Sequence, residues 1–120
     1  MKKIYLFTLV VLLCIVNFCK TSVQAQDSLK VGFILANLYH ERWFNDKKYF
    51  EERFNELGGA VEFVDCYDNS SNQIDAAEKF IKEGVSCIVI IPVDAQATKP
   101  VVDLAHKADI PVVAYDRLIL

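Results

Sequence analysis

The chain has no set of four metal-type ligands at zinc spacing, no serine elbow and no paired-carboxylate motif. Zinc chemistry needs clustered Cys and His ligands, and hydrolysis needs an activated nucleophile, so neither reaction class has a foothold here. No Gly-x-Gly-x-x-Gly follows the first strand pattern and no Walker lysine loop occurs, because Gly32 falls inside a strand run. A nucleotide cofactor is therefore not expected. An excess of basic charge is also missing. The acidic side dominates, which repels phosphate backbones and gives no reason to expect nucleic acid or an anionic membrane as partner. Internal repeats and linker-like stretches are absent too.

The longest apolar run is short. It extends from Ile4 to Val16, behind Lys2 and Lys3, and turns polar at Asn17. Thirteen residues fall below the roughly 20 needed to span a bilayer. With Val23-Gln24-Ala25 as a small-residue cleavage site, residues 1–25 read as a secretory signal peptide cut before Gln26. A lipoprotein anchor on Cys19 is the alternative, opposed by the bulky Phe18 beside it. Of the 13 basic and 16 acidic residues, the leader carries three basic and no acidic ones, so residues 26–120 hold a net charge of −6. Those 95 residues suffice for one modest core.

Two of the four cysteines leave with the leader. The remaining pair, Cys66 and Cys87, lies in apolar strand-like runs. Export permits a disulfide between them, and packing as two small buried thiols is the plainer alternative.

What is present is an alternation of periods. Leu29–Leu35 is a largely apolar run, as in a strand buried on both faces. Over Glu41–Leu57 the residues Trp43, Phe50, Phe54 and Leu57 recur at helical steps, opposite Lys47, Lys48, Glu51, Glu52 and Glu56, and Gly58-Gly59 supplies a stop. Ala60–Cys66 reads as a strand, and Gln73–Glu83 as a helix ending at Gly84 with a capping Ser or Asn before it. Val85–Ile91 is a strand closed by Pro92. A third helix follows, capped by Asp94 or Thr98 with Pro100 in its first turn, and Ile110–Tyr115 is the fourth strand. The order β-α-β-α-β-α-β predicts an α/β fold with a parallel, doubly wound sheet. Ligands bind such sheets beyond the carboxyl ends of the strands, here Ala36–His40, Tyr67–Asn72, Pro92–Gln96 and Asp116–Leu118.

Two constellations fall in those loops. Arg42-Trp43-Phe44 opens the first helix. Adjacent aromatics cannot both face the sheet, so one can point toward the cleft, and Arg42 offers a fork of donors. The alternative is that Trp43 merely opens the apolar stripe and Arg42 is solvated. Asp116-Arg117 follows the fourth strand, where the acid can accept from hydroxyls and the base donate to their oxygens. Charged hydrogen bonds in a closed site contribute about 1.5–3 kcal/mol each, against about 0–1 for an ordinary surface pair. His40 lies near the cleft without catalytic company, and His106 is expected to face solvent.

Lys30-Val31-Gly32-Phe33-Ile34, Glu41-Arg42-Trp43, Gly84-Val85 through Ile90-Ile91-Pro92 and Ala114-Tyr115-Asp116-Arg117 together resemble the start of the type I periplasmic sugar-binding proteins, in particular the D-xylose-binding proteins of ABC importers. The resemblance implies the N-terminal part of the first of two lobes that close on a pyranose. It implies Arg42, Trp43, Asp116 and Arg117 as sugar contacts, and Phe44 through the aromatic pair of ribose binders. It implies capture without catalysis or cofactor, delivery to a membrane ABC permease, and a periplasmic or other extracytoplasmic location. The same module also serves in membrane sensors such as hybrid histidine kinases, which is the alternative. A sugar-responsive repressor would open with a helix-turn-helix, where a signal peptide stands instead. The apolar end at Leu118-Ile119-Leu120, directly after a strand, is expected to mark a piece of a longer protein. The second lobe is expected to be missing, and the isolated piece to bind sugar weakly or not at all.

Overall fold

The structure, a computed structural model, describes residues 28–120, and the predicted leader lies outside the described residues. Seven elements follow in order: β1 (Lys30–Leu35), α1 (Glu41–Glu56), β2 (Ala60–Asp65), α2 (Ser70–Glu83), β3 (Cys87–Ile90), α3 (Lys99–Lys107) and β4 (Val112–Ala114). The strands form one parallel sheet in the order β2-β1-β3-β4.

That order explains which face each helix covers. The chain moves outward from β1 to β2, then reverses across β1 to β3 and continues to β4. Crossovers of a single hand must change face when the direction of travel changes. Accordingly Trp43, Phe50 and Phe54 of α1 pack with Val31, Phe33 and Val89 on one face. Ala76, Ala77 and Phe80 of α2 and Val101 and Ala105 of α3 pack with Ile34, Ile88 and Ile90 on the other. The sheet is doubly wound, and its direction of travel switches between β1 and β3.

Helix ends follow local chemistry. The helix expected from Gln73 starts at Ser70, because the Asn69 side chain accepts from the backbone N–H of Ser71 (2.8 Å) and Asn72 (3.4 Å). Gly84 ends it with φ +69°, a left-handed conformation that costs glycine nothing. Thr98 precedes α3 without a capping side-chain bond; its hydroxyl donates to the Asp94 carbonyl at 2.7 Å. Asp94 instead closes the turn before the helix, accepting from Gln96 and Ala97 N–H. Leu57, expected on the apolar face of α1, lies past the helix end and is exposed. Gly32 is required by packing rather than by backbone angle, since a Cβ there would overlap the Phe80 ring. His106 is exposed, as expected.

Cys66 and Cys87 are both free thiols, and the register shows why they cannot bridge. Cys87 is level with Val31, whereas Cys66 follows Asp65, the partner of Leu35. The two sites are separated by about 16 Å along the strands and about 9 Å across them, far beyond the roughly 7 Å limit for bridged Cα atoms. They also belong to opposite faces. Burial, with help from Asp65 and Asp75, pushes the Cys66 thiol up to about 12, so it stays protonated and inert.

At the amino end of β1 four charges interlock. Lys30 bonds Glu83 at 2.9 Å and lies 3.4 Å from Glu62, while Lys79 pairs with Glu62 and, at 3.0 Å, with Glu83. The bonds from Lys30 and Lys79 hold the Glu83 carboxyl down at about 2. A depressed carboxylate stabilises the fold above its unfolded pKa, and that contribution fades as pH falls from about 4.5 toward 2. Solvent exposure keeps the contribution small. Thermal melts of wild type and Glu83→Gln are expected to differ at pH 6, to draw together below about pH 4.5 and to converge only below about pH 2. An unchanged gap across that range would remove Glu83 from the acid response.

Candidate binding site

The site is assembled where β1 and β4 end. After β1, Asn37 is buried and donates to the Asp68 carboxylate at 2.6 Å while accepting from Tyr39 N–H at 3.0 Å. These bonds bend the loop so that His40 opens α1, its carbonyl accepting from Trp43 N–H at 3.0 Å. Successive helix residues diverge by about 100°. Trp43 therefore turns inward and is 5% exposed, while Phe44 turns outward and is 57% exposed.

The opposite wall comes from the end of β4. Tyr115 N–H donates to the Ile90 carbonyl, and Arg117 N–H returns to the Tyr115 carbonyl at 2.7 Å across Asp116. Asp116 holds φ +64°, a left-handed conformation that aspartate tolerates better than most residues. This tight turn aims both charged side chains back over the start of α1. Asp116 forms an ion pair with Arg42, whose Nε lies 3.7 Å from Asp46. Arg117 Nη1 donates to the Pro92 carbonyl at 3.1 Å and approaches that of Val93 at 3.5 Å. Its guanidinium carbon sits 5.0 Å from the centre of the Trp43 ring, a cation–π geometry. His40 meets the same ring edge-on at 5.2 Å.

His40, Arg42, Trp43, Asp116 and Arg117 line an open cup of about 340 Å³. Four of the five residues anticipated from the sequence are brought together there. Phe44 is not, because its helical position directs it to solvent. Of the two adjacent aromatics it is Trp43 that turns toward the cleft. Trp43 is buried and carries Arg117 over its ring, so it supports a guanidinium rather than presenting a bare platform.

The electrostatics follow the pairing. The hydrogen bond and charge of Asp116 hold the Arg42 guanidinium above its ordinary value. Burial, then the 3.0 Å bond donated to Asp46, pushes the Tyr115 hydroxyl up. The cup thus offers guanidinium donors beside a carboxylate acceptor, a combination suited to vicinal hydroxyls. Among the described residues no group of three or more His, Cys, Asp or Glu side chains is placed to hold a metal ion. Asn69 and Asp94, which lie in the right loops, spend their side chains on backbone turns.

A larger groove of about 420 Å³ runs along α1, lined mainly by Phe33, Tyr49, Phe50, Phe54, Leu57 and Tyr115. It has few polar groups to orient a hydrophilic ligand. Physically it is the part of the sheet face that α1 leaves uncovered, with Val113 also exposed beside it.

One side chain at this end of the sheet escaped sequence reasoning. Gln73 is buried on α2, with Nε2 donating to the Ile91 carbonyl at 2.8 Å and Oε1 accepting from Val93 N–H at 3.1 Å. Its signal was a polar residue in the helical stripe that continues through Ala76, Ala77 and Phe80.

Comparison with known proteins agrees with this fold. Residues 31–120 match the family described as periplasmic binding protein domain. The D-xylose-binding periplasmic protein of Escherichia coli K12 is 35% identical over 100 residues, covering 82% of this chain and 30% of that protein. Among solved structures, the periplasmic binding protein of the arabinose ABC transporter from Shewanella sp. ANA-3, bound to L-arabinofuranose, is 33% identical. Its TM-score is 0.72, with 76% of this chain and 30% of that one covered. The fructose-binding periplasmic domain of a hybrid two-component system is 27% identical with a TM-score of 0.67, covering 77% and 31%. The chain spans about 30% of the length of the curated D-xylose-binding relatives it matches. With a match over residues 31–120, a parallel β-α-β sheet and a cup at its carboxyl end, the chain belongs to the periplasmic binding protein family, whose members bind substrates rather than transform them.

Proposed function

We propose that the chain is the first-lobe portion of an exported sugar-binding protein that captures an aldose such as D-xylose and delivers it to a membrane ABC importer. The observation that carries this reading is the convergence of Arg42, Asp116 and Arg117 over Trp43 at one cup. Two guanidinium groups and a carboxylate can bridge neighbouring hydroxyls with charge-assisted bonds. No bond in the ligand is made or broken. In the bound state, hydroxyls would take over lone pairs and protons that Arg42 and Asp116 now spend on each other. The remaining sides of the sugar would be met by a second lobe, and closure of the two lobes would exclude water.

A second reading has its own support. The likeness to the fructose-binding domain of a hybrid two-component system fits a sensor in which the same capture drives a signal. A membrane-spanning segment and a kinase domain later in the same gene would select it.

The test is calorimetric titration of the longer gene product, without residues 1–25, against D-xylose, ribose, glucose and arabinose. Tight binding of one aldose is expected, together with weak or undetectable binding by residues 26–120 alone. Micromolar binding by the isolated segment would overturn the two-lobe requirement. Silence toward all four sugars would overturn the aldose assignment.

A further inference from the structure

We propose that Gln73 is a positioning residue for Arg117, acting through the Ile91–Val93 backbone to hold the guanidinium over Trp43. The proposal rests on the sugar-binding reading of the cup and adds a part that touches no ligand.

Three polar side chains are buried among the described residues: Asn37, Gln73 and Thr98. Asn37 shapes the loop before α1, and Thr98 bonds the Asp94 carbonyl. Gln73 differs in where its bonds go. Its amide spans Pro92, donating to the carbonyl before it and accepting from the N–H after it. Proline has no N–H of its own, so this stretch has one backbone tie fewer than an ordinary loop. Ile91 N–H is already held by the Ile34 carbonyl at 2.9 Å. The two Gln73 bonds supply the remaining restraint, and the carbonyls they leave free, of Pro92 and Val93, are those that receive Arg117 Nη1.

The result is a continuous relay from α2 to the loop after β3, to Arg117 and to the Trp43 ring. With Nη1 anchored and the guanidinium carbon held 5.0 Å from the centre of the Trp43 ring, the other guanidinium nitrogens have a restricted direction before any ligand arrives. Such preorganisation raises affinity by removing the ordering that binding would otherwise require. An apolar residue at position 73 would satisfy the core equally well by volume. It would leave the Ile91 carbonyl and Val93 N–H without partners, and Arg117 without a fixed seat.

Trp43 is the single tryptophan of the 120-residue chain, so its fluorescence reports this seat without any ligand. Acrylamide quenching of Trp43 is expected to rise about twofold in Arg117→Ala, where the cation–π cover is gone, and to rise comparably in Gln73→Met. The double variant is expected to quench no more than Arg117→Ala alone, because both changes empty the same seat. In the longer gene product, Gln73→Met is expected to weaken sugar binding about tenfold and to add nothing in the Arg117→Ala background. Wild-type quenching in a folded Gln73→Met chain, or effects that multiply with those of Arg117→Ala, would overturn the proposal. Should Gln73→Met not fold, Gln73→Glu keeps the acceptor for Val93 N–H and loses the donor to Ile91. Intermediate quenching is then expected, and wild-type quenching would refute the relay. If the wild-type protein binds no sugar while the quenching arms behave as stated, the sugar reading fails and the positioning role stands.

Discussion

Replacing Arg117 with alanine in the longer gene product is expected to weaken sugar binding by about 10- to 100-fold, the equivalent of losing one or two charge-assisted hydrogen bonds. The fold should barely notice. Arg117 occupies the end of a surface turn, and the Pro92 and Val93 carbonyls it leaves can turn to water. Melting temperature and affinity therefore separate in this variant. Trp43→Ala does not separate them, because Trp43 is both the floor of the cup and a member of the core with Val31, Phe33 and Val89. Arg117→Lys should recover little affinity, since an ammonium on a flexible stem does not reproduce the fork of donors. Calorimetry on the three variants, each with a melting curve, checks the argument. Unchanged affinity in Arg117→Ala would remove that residue from the site and leave Arg42 and Asp116 to carry it.

Phe80→Ala is expected to produce the largest loss of stability, about 3–5 kcal/mol by the behaviour of buried aromatic truncations. A domain of this size has roughly 5–14 kcal/mol in total, so the variant should sit near its unfolding threshold at ambient temperature. Phe80 is fully buried and central to the α2 face, where its ring lies against the bare backbone of Gly32. That contact makes a sharper, signed prediction. Gly32→Ala in the wild type forces a methyl into the ring and should cost about 1–3 kcal/mol. In the Phe80→Ala background the ring is gone, so the same methyl fills part of the void and favours strand geometry over glycine. Gly32→Ala is then expected to be neutral or stabilising, which a urea midpoint measures directly. Simple additivity of the two changes would mean that the close approach is not what glycine serves here.

Much of this architecture was legible before any coordinates. Apolar period and stop residues locate six of the seven elements to within about three residues and the third helix by its two candidate caps, and their alternation specifies a parallel sheet with its site expected at the carboxyl ends. The errors have physical causes. α2 starts three residues early because Asn69 makes a cap that competes with the loop-like look of Ser70-Ser71-Asn72. Val85 and Ser86 precede rather than form β3: the paired register with β1 begins at Val31 and Cys87, while Ser86 N–H donates to the Lys30 carbonyl at 2.7 Å and Lys30 N–H meets the Ser86 hydroxyl at 3.4 Å. Leu57 looks like the next turn of the α1 stripe, but the helix has already ended.

The site divides along the same line. Arg42, Trp43, Asp116 and Arg117 could be nominated from their positions after strand patterns, and they do line one cup. Which aromatic faces inward, and that its ring is taken by Arg117, depends on how α1 is rotated against the sheet. Gln73 was hidden because a glutamine near a helix start is usually solvated, and only the loop after β3, eighteen residues away, reveals its partners.

The sequence by itself thus determined the order of elements, their parallel arrangement, the end of the sheet that bears the site and the residue types available there. These follow from short-range periodicity, capping and the chirality of crossovers, which are properties of contiguous residues. Tertiary structure alone decided the ion pair between Arg42 and Asp116, 74 residues apart, and the separation of Cys66 from Cys87. It also decided the seating of Arg117 on Trp43 and the relay through Gln73. Those depend on sheet register and helix rotation, which are set by the packing of the whole core and have no signature in any local stretch of chain.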